Sequence, residues 1–137
     1  MKKIKKNVLK PFLFICLGLT ITTIVFASAR GIYDPPSPPG VPEVIDIWDT
    51  GCTLRYRAPL DDGGKKIEYY LIEYRRLDLH WDMDFNWKAI GTCMTLTYTV
   101  RNMIEGSRVQ FRVSAVNEIG RGEPSKESDP IEIRNPF

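Results

Sequence analysis

From Val44 onward the chain alternates apolar and polar residues with a period of two, and turn-forming residues interrupt the alternation at short intervals. "CTLRYR" sets Cys52, Leu54 and Tyr56 against Thr53, Arg55 and Arg57, and "YYLIEYRR" sets Tyr70, Ile72 and Tyr74 against Leu71, Glu73 and Arg75. "LTYTV" groups Leu96, Tyr98 and Val100; "VQFRVSAV" groups Val109, Phe111, Val113 and Ala115 against Gln110, Arg112, Ser114 and Val116. Side chains of a strand point alternately to its two faces, so each run predicts a half-buried strand. Asp49-Thr50-Gly51, Asp61 to Gly64, Glu105-Gly106-Ser107 and Asn117 to Gly122 mark the reversals, and no window sustains a helical period. Short alternating strands separated by turns about every 8–12 residues predict an antiparallel β-sandwich.

The first 29 residues follow another logic. Met1 to Lys10 carries five lysines and no acid, Phe12 to Phe26 is uncharged and mostly apolar, and Ala27-Ser28-Ala29 has the small-x-small form of a cleavage site. Residues 1–29 are therefore expected to be a secretory signal peptide or, uncleaved, a signal anchor holding the chain to a membrane through Phe12 to Ala29. The five prolines between Pro35 and Pro42 predict an extended linker over residues 30–42. A domain is expected over 43–133, with a tail at 134–137.

Charge narrows the partners. The chain has 19 basic and 17 acidic residues, but without the five leader lysines the balance over 30–137 is 14 against 17, a net of −3. No clustered basic stripe remains to neutralise phosphates, so nucleic acid is not an expected partner. The 108 residues from Arg30 onward are enough for one core and one small domain.

Two stretches hold the residue types of chemistry. In "APLDDGGKKIEYYLIEYRR" the paired carboxylates and glycines read as a reversal between strands, because Asp side chains bond nearby backbone N–H groups and Gly supplies positive φ. A phosphate cradle needs a helix N-terminus after it, and a strand follows here. "HWDMDFNW" gathers His80, Trp81, Asp82, Asp84, Phe85 and Trp87, without the glycine and closing glutamate of a calcium loop or a second histidine or cysteine at ligand spacing. No catalytic, cofactor or metal site is expected.

Four segments, in order, resemble the fibronectin type III domain: "DPPSPPGVPEV", "PLDDGG", "EGSRVQFRVSAVNEIGRGEPS" and a closing "NPF". The resemblance spans roughly Pro38 to Ile133 and is closest to the subgroup found in titin, twitchin and myosin-binding protein C. It implies a seven-stranded antiparallel sandwich of immunoglobulin-like fold. Its core is expected to include Leu54, Tyr56, Ile67, Tyr70, Ile72, Trp87, Tyr98, Val100, Phe111, Val113 and Ala115. Two positions depart from the family: Tyr56 stands where a core tryptophan is usual, and Val109 stands where the tyrosine of the corner is usual.

The resemblance also implies a non-catalytic module that binds or spaces proteins, with myosin or other thick-filament proteins as partners in a sarcomeric cytoplasm. The leader implies the alternative, a secreted or membrane-tethered adhesion or receptor module. Trp81 and Phe85, which have no assigned place in the family, are candidate protein contacts, since aromatics dominate interface hot spots. Arg121 and Glu123 lie where some family members present an integrin-binding tripeptide ending in aspartate; the glutamate, one methylene longer, argues against integrin as a partner. Cys52 and Cys93 are expected at opposite ends of neighbouring strands, too far apart to bridge and therefore reduced. No N-x-S/T acceptor occurs in the chain, which suits a domain shaped inside cells.

Overall fold

The computed structural model describes residues 32–79 and 86–137. The leader, His80, Trp81, Asp82, Asp84 and Phe85 lie outside the described residues. Chain contacts divide the molecule into Met1–Tyr33 and Asp34–Phe137, and every described strand belongs to the second unit. Among the described residues no helix is long and apolar enough to cross a membrane.

The strands are β1 (Glu43–Trp48), β2 (Gly51–Arg55), β3 (Tyr69–Arg76), β4 (Lys88–Cys93), β5 (Thr97–Val100), β6 (Arg108–Val116) and β7 (Ile131–Glu132). They form two antiparallel sheets, ordered β1-β2-β5 and β4-β3-β6-β7. The alternation that predicts the strands also selects the core. Leu54 from β2, Val100 from β5, Ile72 from β3, and Val109, Phe111, Val113 and Ala115 from β6 are all 0% exposed. Cys52, Tyr56, Tyr70 and Ile133 complete the cluster, whereas Ile67 and Tyr98 are half-buried at its margin.

Tyr56 keeps its hydroxyl inside the fold by partnering it. The hydroxyl donates to Thr95 O at 2.7 Å and lies 2.9 Å from Cys93 Sγ, while the ring meets Tyr70 edge-on at 5.2 Å. Burial pushes its pKa above the usual tyrosine value. At the corner before β6, where Val109 has no hydroxyl to give, the buried Ser107 Oγ donates to Ile104 O at 2.6 Å.

The "DDGG" reversal is built from local side-chain bonds. Gly63 N donates to Asp61 Oδ1 and Gly64 N to Asp62 Oδ1, with φ of 78° and 89° at the two glycines. A Cβ on Gly63 would lie 1.9 Å from Asp34 O, so the close approach of that carbonyl also requires glycine.

That approach bears on the expected linker. Asp34 N donates to Gly63 O, Ser37 N to Asp61 O and Gly40 N to Arg57 O, so the proline-rich stretch is docked on the sandwich from Asp34. Asn117 fixes it further: its Nδ2 donates to Asp34 O and Asp62 O, both at 2.8 Å, and its Oδ1 accepts from Ile119 N and Gly120 N. Prolines that cannot donate leave the carbonyls and the few remaining N–H groups to make the contacts.

Candidate protein-interaction surface

Alternation places Glu73 and Arg75 of β3 on the face of the four-stranded sheet opposite the core, together with Gln110, Arg112 and Ser114 of β6. The antiparallel register sets Glu73 beside Arg112 and Arg75 beside Gln110. Arg112 Nε donates to Glu73 Oε2 at 2.8 Å, and Arg75 Nε and Nη2 donate to Gln110 Oε1 at 3.0 and 2.9 Å. Arg121, beyond β6 in the Asn117 to Gly122 loop region, reaches back to the same Glu73 oxygen at 3.0 Å.

Trp87 belongs to this outer face and not to the core, which corrects the expectation. Lys88 pairs with Tyr74, whose ring packs against the core, so the preceding residue turns the other way. Its half-buried indole lies under two cations, with the guanidinium carbons of Arg75 and Arg112 at 4.7 and 4.6 Å from the ring. Glu73 is only 6% exposed, which a carboxylate tolerates because two guanidiniums bond it.

The last strand completes the face in an unusual manner. Ser125 N donates to Val113 O and Ser128 N to Phe111 O, while the serine Oγ atoms accept from Val113 N and Phe111 N at 3.0 and 2.9 Å. Each hydroxyl stands in for a strand carbonyl, so β6 keeps a satisfied edge although β7 has only two residues. Gln110 Nε2 donates to Ser128 O, linking this edge to the arginine cluster.

The other expected positions are dispersed. Glu123 is exposed near Arg121, and Trp81 and Phe85 lie outside the described residues. Cys52 and Cys93 are free thiols: Cys52 pairs with Val100 in one sheet, and Cys93 pairs with Tyr70 in the other. Burial pushes the Cys52 thiol up to about 12. Among the described residues no group of three or more His, Cys, Asp and Glu side chains is gathered as metal ligands. An open groove of about 580 Å³ beside Val41, Tyr56 and Leu96 contains the exposed Arg55–Glu43 pair at 3.2 Å.

Sequence reasoning treated Glu73, Arg75 and Arg112 as ordinary solvent-facing positions. The signal was a second-order one: once β3 and β6 are paired, opposite charges and a tryptophan fall side by side on one face.

Comparison with known proteins gives a consistent result. The family model described as "Fibronectin type III domain" matches residues 37–131. The chain is similar to cardiac-type myosin-binding protein C of Gallus gallus, 33% identical over 100 residues that cover 73% of this chain and 8% of that protein. It is similar to Titin of Drosophila melanogaster, 34% identical over 98 residues, 72% of this chain and a share of that protein that rounds to 0%. The crystal structure of domains A168–A170 from titin superposes with a TM-score of 0.69 at 31% identity, covering 75% of this chain and 34% of that one. The chain thus spans less than a tenth of the length of these curated relatives.

Proposed function

Because the chain belongs to the fibronectin type III family, we propose that it is a non-catalytic module that binds and spaces proteins, with myosin as its partner. The partner is suggested by its likeness to a protein named for binding myosin. The observation that carries the spacing role is the path of the chain. It enters at Asp34, bonded to Gly63 and Asn117 at one end of the sandwich, and leaves at Asn135, whose N–H donates to Asp49 in the turn between β1 and β2 at the other end. A module whose entry and exit lie at opposite poles separates whatever is joined to it by its own length.

The test is co-sedimentation of the full chain with purified myosin filaments. Recovery in the pellet, weakening as salt is raised, is the expected result. A chain that stays in the supernatant at every salt concentration removes myosin as the partner.

The apolar run Phe12 to Ala29 supports a second reading, a secreted or membrane-tethered module acting outside the cell. Expression of the full chain in animal cells and intact-mass measurement of medium, membrane and cytosol separates the two. A species in the medium beginning at Arg30, or uncleaved chain in membranes, selects the second reading; uncleaved soluble chain in the cytosol selects the first.

A further inference from the structure

We propose that the outer face of the β4-β3-β6-β7 sheet, centred on Arg75, Trp87 and Arg112 and bordered by Arg121, docks a carboxylate-rich segment of a protein partner. The proposal rests on reading the chain as a protein-binding module and adds to it a surface and a ligand chemistry.

Among the described residues the ion pairs of this face set three guanidiniums, Arg75, Arg112 and Arg121, against two carboxylates, Glu73 and Glu127. Arg112 and Arg121 both bond one oxygen of Glu73, and Arg75 directs two donors to the neutral Gln110. Glu127, the other carboxylate near Arg75, lies 3.9 Å from it with its side chain about half exposed. Glu73 therefore acts as a pin that fixes two cations in place without neutralising both. A guanidinium has five N–H donors, and among the described residues Arg112 bonds through Nε. Among the described residues its terminal nitrogens have no hydrogen-bond partner, which leaves their donors to an incoming group.

The stack on Trp87 prepares those donors. A guanidinium within about 5 Å of an indole centroid is held in place by the ring's negative face, and a carboxylate binds the guanidinium fork with two parallel bonds. Side chains already ordered by the stack and by Glu73 lose less rotamer entropy when a ligand arrives. The surroundings direct the ligand to this face, because residues 30–137 are net acidic at 14 basic against 17 acidic residues. An acidic segment is repelled by most of the surface and steered to the arginines.

The opposite sheet provides the contrast. On β2 the exposed Arg55 is matched one to one by Glu43 across the strands, at 3.2 Å. Single-stranded nucleic acid is the less favoured anion, because it needs open aromatic faces for base stacking and Trp87 already lies under two guanidiniums.

The experiment titrates the isotope-labelled full chain with an octaglutamate peptide and, in parallel, with oligothymidine, following the backbone amide, arginine Nε–H and indole N–H signals. The expected result is peptide-induced shifts concentrated at Arg75, Trp87, Arg112 and Arg121. Binding weakens by about tenfold or more in an Arg75→Gln/Arg121→Gln double variant and changes by less than about twofold in Arg55→Gln. Arg112→Lys keeps the charge and loses the planar guanidinium fork; circular dichroism confirms its fold, and weaker binding than the unaltered chain is expected. Shifts scattered over both sheets, equal losses in Arg55→Gln and the double variant, no response at millimolar peptide, or tighter binding of oligothymidine would each overturn the proposal. Co-sedimentation with myosin reads the broader function separately: a chain that pellets with filaments but ignores the peptide refutes this surface alone, and the converse removes myosin and supports the surface.

Discussion

On β6, Phe111 and Val113 point into the sandwich and Gln110 and Arg112 point out, yet burial does not separate the two sets cleanly. Phe111 and Val113 are 0% exposed, Gln110 is 9% and Glu73, across the strands from Arg112, is 6%. The inner face is closed by apolar burial, which has no preferred direction and answers mainly to volume. The outer face is closed by bonds that each need a named partner, so it tolerates paired changes better than single ones. The lesson is that one strand can carry two kinds of interior, with different rules for what breaks them.

The inner face gives the largest expected effect. Phe111→Ala removes a ring at the centre of the core and costs about 3–5 kcal/mol, a large part of the roughly 5–15 kcal/mol that holds such a domain together. Phe111→Leu, which keeps most of the volume, costs about 1–2 kcal/mol. Denaturant titration of both variants measures the ratio, and equal losses would show that shape and not volume governs this face.

Arg112→Ala comes next. It leaves Glu73 buried with Arg121 alone and costs about 2 kcal/mol, less than a fully buried pair because the Arg112 side chain is 23% exposed. Replacing Glu73 and Arg112 together by leucine and methionine is expected to be milder than the single change. A double-mutant cycle decides it, and additive costs would mean that the outer face follows the same volume rule as the inner one.

Ser128→Ala tests the edge. It strips the acceptor from Phe111 N while leaving the backbone bond from Ser128 N, at about 1 kcal/mol. Hydrogen exchange should quicken at Phe111 before it quickens at Val113, whose partner is Ser125.

The smallest effect at neutral pH belongs to the ionisable group of the inner face. Below about pH 9 the Cys52 thiol is protonated in both folded and unfolded chains; between there and about 12 the unfolded chain gives up a proton that the folded chain keeps. Stability therefore falls as pH rises through this window. Cys52→Val should flatten that limb in denaturant titrations at successive pH values and change little at pH 7.

The sequence made the inner face legible because its rule is local. Val109, Phe111, Val113 and Ala115 declare their face by spacing alone, and so do Leu54, Ile72 and Val100. The "DDGG" reversal was equally open, since its bonds span two residues. Trp87 was misplaced because a large aromatic near the end of a strand fits either face until register is known. Glu73 and Arg112 are 39 positions apart, and nothing short of the β3–β6 pairing brings them together. Ser125 and Ser128 carry no mark of their role in the sequence: a hydroxyl replacing a strand carbonyl leaves no periodic trace.

The docked proline-rich segment changes the mechanics of whatever lies upstream. From Asp34 to Pro42 is nine residues, which as free chain would reach roughly 30 Å at about 3.3 Å per residue. With Asp34 held by Gly63 and Asn117, that reach is withdrawn, and the pivot moves from the start of β1 to the far pole of the sandwich. A pull applied at Asp34 arrives first at its bonds to Gly63 and to the Asn117 amide and only afterwards at the β1–β2 ladder.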